Sequence, residues 1–247
     1  MRPTIAGITA VLGEFQKVFT SVYHALKNGP KMTAKVSAES TDATAFGFAY
    51  TFAGSVGVMM TLQNERVLSI SESDLDEAMS QTLALLSTTE QSDLQEMAER
   101  VGLPALRHAH HWALENAKAG FGADIFWQRE TAVRQRARVQ SPQIEKLASY
   151  IQLVAAREEI AVIGDLMDVS LTEKTFVLKL RDKTITGHFT TAISEDHPAS
   201  LPRRYRARLR VTQRVVTPGD QDEQTYLLLG LEPVDPSTAL LSDFSAE

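Results

Sequence analysis

Pro202 to Arg214 holds six arginines and no acid. Side chains alternate between the two faces of a strand, so Arg204, Arg206, Arg208 and Arg210 share one face, with guanidinium groups about 6 to 7 Å apart. Tyr205, Ala207, Leu209 and Val211 take the other. The arginine spacing follows the phosphates of a single nucleic-acid strand, and Tyr205 or Tyr226 offers a ring for stacking a base where it is exposed. A plainer use competes with this one. Pro218 to Glu247 carries seven acids and no base, which makes the chain its own counter-charge. Arginines on an exposed strand also discourage edge-to-edge pairing.

A second run, His108-Ala109-His110-His111 followed by Glu115, has the residue types of a metal site. On a helix His108 and His111 are three apart and Glu115 follows four later, so these three are the candidate ligands on one face. No other segment supplies ligands in a familiar spacing, and the expectation is a solvated histidine patch without a metal. His110 falls toward the Leu106 and Ala113 face and is expected to be partly buried. Asp165 and Asp168 stand three apart at a strand and face opposite sides. Gly54-Ser55-Val56-Gly57 matches a GxxG nucleic-acid loop in letters only, because strands flank it. No Gly-x-Ser-x-Gly elbow, Walker lysine or dinucleotide fingerprint occurs. An enzyme is therefore less expected than a binding protein, and no cofactor is implied.

The whole chain sets bounds on these readings. It has 247 residues, no cysteine, 43% hydrophobic and 23% charged residues, the composition of an ordinary globular protein long enough for two modules. The absence of cysteine excludes disulfides, thiolate nucleophiles and iron–sulfur ligation, and fits a cytoplasmic protein. A net charge of −6 argues against coating nucleic acid through the overall field and leaves only a local basic stripe. The N-terminus does not read as a signal peptide.

Periodicity predicts the helices and strands that carry these residues. Ile5, Ile8, Leu12, Phe15, Phe19, Val22 and Leu26 keep a 3-4 spacing, which predicts a helix closed by Asn28-Gly29-Pro30. Along this seam Ile8, Leu12, Phe15, Phe19 and Val22 either pack within the domain or pair with a second protein chain. Ala43 to Asn64 has no charged residue, but its period of two predicts a β-hairpin and excludes a membrane span. Its bulky face, with Phe46, Phe48, Tyr50 and Phe52, is expected to be buried. A strand is expected at Met32 to Ala38, and helices at Ser71 to Ser87, Ser92 to Val101 and from Pro104. Phe121 to Trp127 reads as a strand, Gln128 to Gln140 as a polar connection, and Ser141-Pro142 as the start of another helix. From Glu159 onward five strands are expected, at Ile160 to Val169, Phe176 to Leu180, Thr184 to Phe189, Tyr205 to Val216 and Thr225 to Leu231.

These readings predict an α+β protein. Residues 1–140 form a helix-and-sheet domain, 141–156 a linking helix, 157–235 a small SH3-like or OB-like β-barrel, and 236–247 a disordered acidic tail. The expected function is that of a non-enzymatic interaction or assembly protein whose Ile5 to Leu26 seam or Phe46 to Leu62 hairpin meets a protein partner or a second copy of itself. The alternative is nucleic-acid binding by the arginine strand of the barrel. No membrane partner is expected.

Overall fold

The computed structural model describes residues 4–30, 35–52, 57–62, 74–129, 132–193, 201, 203–215 and 224–234. The fold is α+β and ends in a small closed barrel. The chain divides into two compact units, Met1–Ala156 with Arg214–Gln221, and Arg157–Gln213 with Asp222–Glu247.

The first unit is built on two long helices, α1 (Ile5–Asn28) and α4 (Gln91–Ala119). Thr4 caps α1 by accepting from Gly7 N at 3.1 Å, and Gly29, at φ 81°, ends it. The two helices run antiparallel, since Gly7 lies by Ala119, Glu14 by His108, and Ser21 and Ala25 share a cleft with Val101 and Pro104. Phe15, Phe19 and Val22 of the seam are buried in this unit's own core. Ile8 and Leu12 are half-buried, and Ile5 is exposed. Gly102, at φ 76°, breaks α4 two residues before Pro104, so the two helices expected here meet at a kink. Helices α3 (Asp74–Ser87) and α5 (Ser141–Ile151) pack on this pair through Leu75, Leu85, Leu86, Ile144 and Leu147. The segment read as a linking helix, α5, therefore lies inside the first unit.

The strand expected at Met32 to Ala38 does not form over Lys35–Ala38, while Met32, Thr33 and Ala34 lie outside the described residues. Ser37 Oγ accepts from Ser40 N at 3.2 Å and starts α2 (Ala38–Thr44) instead, with Glu39 in its first turn. Buried polar contacts fasten α2 to α1. Thr20 and Thr44 hydroxyls meet at 2.7 Å, and His24 Nδ1 meets Ser40 Oγ at 2.9 Å. Gln16 joins α1 to the end of α2 and to Phe46, its amide donating to Thr44 O and its Oε1 accepting from Phe46 N, both at 2.8 Å.

Gln16 and Phe46 set the position of the first hairpin, β1 (Phe46–Phe52) with β2 (Gly57–Leu62). Phe46 stacks on Phe19 at 5.2 Å and on Phe15 at 6.0 Å between ring centroids. The expectation of a buried bulky face is corrected beyond that point, because Phe48 is 69% exposed. Phe48 keeps the register of Phe46, opposite Met60, but lies further along the strand than the ring that meets Phe15 and Phe19; a bulge follows, between Phe48 and Tyr50. The turn residues 53–56, and with them the GxxG letters, lie outside the described residues.

The polar connection expected at Gln128 to Gln140 is largely a strand. β3 (Ala123–Arg129) pairs antiparallel with β4 (Ala132–Val139), and only Ala137 and Val139 of β4 are buried. The alternation of Ala137 and Val139 with Arg136 and Arg138 is short, and Gln135 interrupts it, so the run reads as polar.

In the second unit β5 (Ala155–Ser170), β6 (Thr175–Lys179), β7 (Thr184–Phe189), β8 (Arg203–Arg214) and β9 (Gln224–Pro233) close a barrel in the order β5-β6-β7-β9-β8. β7 lies parallel to β9, whereas the β5–β6, β6–β7 and β8–β9 pairs are antiparallel. Inward-facing Leu166, Phe176, Leu178, Ile185, Phe189, Tyr205, Ala207, Leu209 and Leu228 fill it. Gly164 and Gly187 mark close approaches: a Cβ at Gly164 would sit 2.8 Å from Lys179 O, and one at Gly187 would sit 2.8 Å from the Phe176 ring.

Candidate functional site

Three groups of side chains stand out on the described surface. On β8 the burial alternates as the sequence pattern requires, with Arg206 and Arg208 exposed and Ala207, Leu209 and Val211 inside. Arg210 and Arg204 are engaged by acids of β5: Arg210 donates to Glu159 Oε1 at 2.7 Å, and Arg204 lies 3.7 Å from Asp165. Neither Arg206 nor Arg208 forms a close ion pair among the described residues, although Arg206 stands directly across from Glu232 of β9; the Arg208 guanidinium lies over Gly230. Tyr205 is 4% exposed and belongs to the barrel core, so the stacking role considered for it is not open to its ring. The acids of residues 235–247 lie outside the described residues.

The histidine run sits on α4, but the acid that meets it is not Glu115. Glu115 turns toward Lys118 at 3.8 Å. Glu14 of α1 approaches instead, with Oε2 3.3 Å from His108 Nδ1. One ligand atom each from Glu14, His108 and His111 lies within 4.8 Å of the others. Burial works to raise the Glu14 pKa, but the ammonium of Lys17 at 2.7 Å and the contact with His108 outweigh it, so the carboxyl sits below its ordinary range. Burial pushes the His108 imidazole the other way, below its ordinary value, against the pull of Glu14. His110 is also held low by burial, then by His111. His110 Nδ1 has no partner among the described residues, while its Nε2 meets Gln152 Nε2 at 3.3 Å.

The third group is the pair of hairpins. Phe19, fully buried in α1, touches both: its ring stacks on Phe46 of β1 and meets Trp127 of β3 at 6.4 Å between centroids. Trp127 Nε1 also donates to Asp76 Oδ1 at 2.6 Å, tying β3 to α3. The outer surfaces of the hairpins differ. On β3–β4 the exposed Phe126 is covered by the Arg136 guanidinium, 4.6 Å from the ring centroid. Asp124 there accepts from Arg136 Nη2 at 2.8 Å and Arg138 Nη2 at 2.9 Å. On β1–β2 no charged residue occurs between positions 43 and 64. Phe48 lies open there, opposite Met60.

No protein-family model matches this chain, and no curated protein or solved structure is significantly similar to it.

Of the residues singled out in the sequence, the structure thus joins His108 to His111 and lines up the four arginines of β8. It places Phe15, Phe19 and Val22 inside a core. Glu14 is the site residue that sequence reasoning missed, while Phe48 was expected in a buried face of the hairpin and is exposed. Glu14 lies between Leu12 and Phe15 at the margin of the seam, where a carboxylate ends up half-shielded, but no local spacing links it to a histidine 94 positions away. Among the described residues no helix is long and apolar enough to cross a membrane.

Proposed function

We propose that the protein is a non-catalytic interaction module that meets a protein partner along the β1–β2 hairpin. The observation that supports this is Phe48, 69% exposed on a two-stranded ribbon with no charge between residues 43 and 64. Among the described residues nothing pairs with either outer edge of this two-stranded hairpin, and proteins normally blunt such edges with lysines, arginines or prolines. β3–β4 has this protection in Asp124, Arg136 and Arg138, whereas β1–β2 has none. The edge and the Phe48–Met60 pair together suit a partner that adds an extended strand or covers the ring with apolar side chains. The test is the native mass in soluble extract at natural abundance. The wild type elutes well above 27.2 kDa, and Phe48→Lys, which puts a charge on the edge without touching the core, elutes at the monomer position. A wild type at the monomer position overturns the reading.

A second reading rests on Arg206 and Arg208, which are exposed, Arg208 across from Gly230 and Arg206 across from Glu232 without a close ion pair among the described residues. They suit a polyanion backbone, including single-stranded nucleic acid, held through charge alone. The strand order, with the first strand long and the third parallel to the fifth, resembles an OB-type barrel. The surface that OB-folds use, on the second and third strands, presents Thr184, Thr186 and His188 on the third and no outward Phe, Tyr or Trp ring there. Backbone contact, with the His188 imidazole as the one outward ring on that strand, is the form this reading takes.

A further inference from the structure

We infer that Glu14, His108 and His111 form a divalent-cation site that bridges α1 and α4, with zinc as the best-suited ion. The three ligand atoms already lie within 4.8 Å of one another, and the Glu14 Oε2 to His108 Nδ1 separation is 3.3 Å. A tetrahedral ion with bonds of about 2.1 Å separates its ligand atoms by about 3.4 Å, so this first pair already spans one edge of the tetrahedron. His111 is exposed and one turn along the same face of α4, so its ring is free to swing inward and close the set.

Hydrogen bonding and packing fix two of the ligands in advance. Lys17 Nζ holds Glu14 Oε1 at 2.7 Å, which leaves Oε2 as the atom turned to the histidines, while its own positive charge works against a cation there. Glu14 is 14% exposed and His108 31%, so two of the ligands are held by packing before any ion arrives. Imidazole and carboxylate without thiolate suit zinc among the common cations, and three protein ligands leave a fourth position for water. The sequence run alone pointed to Glu115 as the third ligand. The structure substitutes a residue 94 positions from His108, and the ion therefore joins two helices where the local pattern would have joined none.

The test is zinc titration by calorimetry of the full chain, free of any affinity tag, with melting temperature read in parallel. One zinc binds per chain and raises the melting temperature, because an ion bound only to the folded state stabilises it. Glu14→Gln and His111→Ala each weaken binding by at least about tenfold, the loss seen even for outer-shell partners of metal sites. Glu115→Gln leaves both the affinity and the melting shift unchanged. His111 is exposed and Glu14→Gln keeps the shape of the side chain, so both variants retain the fold without zinc, as circular dichroism will show. Failure of the wild type to bind zinc overturns the inference. So does zinc binding that Glu14→Gln leaves intact, or that Glu115→Gln removes.

Discussion

Replacing Phe19 by alanine tests whether one ring holds both hairpins in place. Phe19 is 0% exposed, stacks on Phe46 at 5.2 Å and meets Trp127 at 6.4 Å, so truncation removes core burial and two aromatic contacts together. Buried Phe→Ala changes cost about 3–5 kcal/mol, and each aromatic pair contributes about 0.5–1.5 kcal/mol beyond its area. The upper part of that range, about 4–5 kcal/mol, is the expected loss. Domains are stable by about 5–15 kcal/mol, so the variant stays folded near room temperature with most of its margin gone. Urea unfolding followed by tryptophan fluorescence reports this unit alone, because both tryptophans, Trp112 and Trp127, belong to it. With a slope of about 2 kcal/mol per molar urea, the midpoint falls by about 2 M. Amide exchange rises in β1 and in β3 together. A loss below about 1.5 kcal/mol, or faster exchange in only one hairpin, refutes the assignment of Phe19 as their common anchor.

Three further outcomes are expected from the same geometry. Hydrogen bonds from Arg136, then Arg138, hold the Asp124 pKa below its ordinary 3.8, so the support it gives β3–β4 is present above that value and is lost as pH falls through the lower folded-state value. Amide shifts of β3 and β4 that titrate at or above 3.8 would contradict this. If the barrel holds polyanions, Arg206→Ala and Arg208→Ala each reduce the slope of log affinity for oligo(dT) against log salt by about 0.7–1, and Arg210→Ala, already paired with Glu159, reduces it less. Equal slopes in all three variants and the wild type remove the barrel face from consideration. Gly187→Ala drives a Cβ to within 2.8 Å of the Phe176 ring and against Tyr226 O, which costs about 1–3 kcal/mol or more by calorimetry, while Gly120→Ala, with nothing within 4 Å, carries only the strain of its φ of 69°. A Gly187→Ala barrel as stable as the wild type would mean that the β7–β9 approach is looser than described.

Where a strand buries one face against a core, the sequence revealed it. The Arg/apolar alternation of Arg204 to Val211 is the burial pattern of β8, and Thr184 to Phe189 is β7 to the residue. Where a strand buries little, the pattern disappears. β4 shows arginines at alternate positions and buries only Ala137 and Val139 beside them, so most of its length is solvated and Asp124 pairs two of the arginines. Phe46 and Phe48 read as equivalent and share one register, yet one stacks on Phe15 and Phe19 and the other lies open, a difference that no periodicity announces. Ser37 to Thr44 was hidden by β-branched neighbours, although Ser37 and Glu39 are the cap and first-turn acid of α2. The candidate metal set was half legible: the spacing of His108 and His111 was visible, but Glu14 joins them only because α1 and α4 lie antiparallel.

The most direct test of the interaction module is a photoreactive phenylalanine analogue at position 48, compared with the same group at Glu173, an exposed turn residue of the barrel. Irradiation of living cells should give a discrete protein adduct from position 48 and none from position 173. No discrete adduct at 48, or the same adducts from both positions, would contradict the claim that Phe48 marks a partner surface.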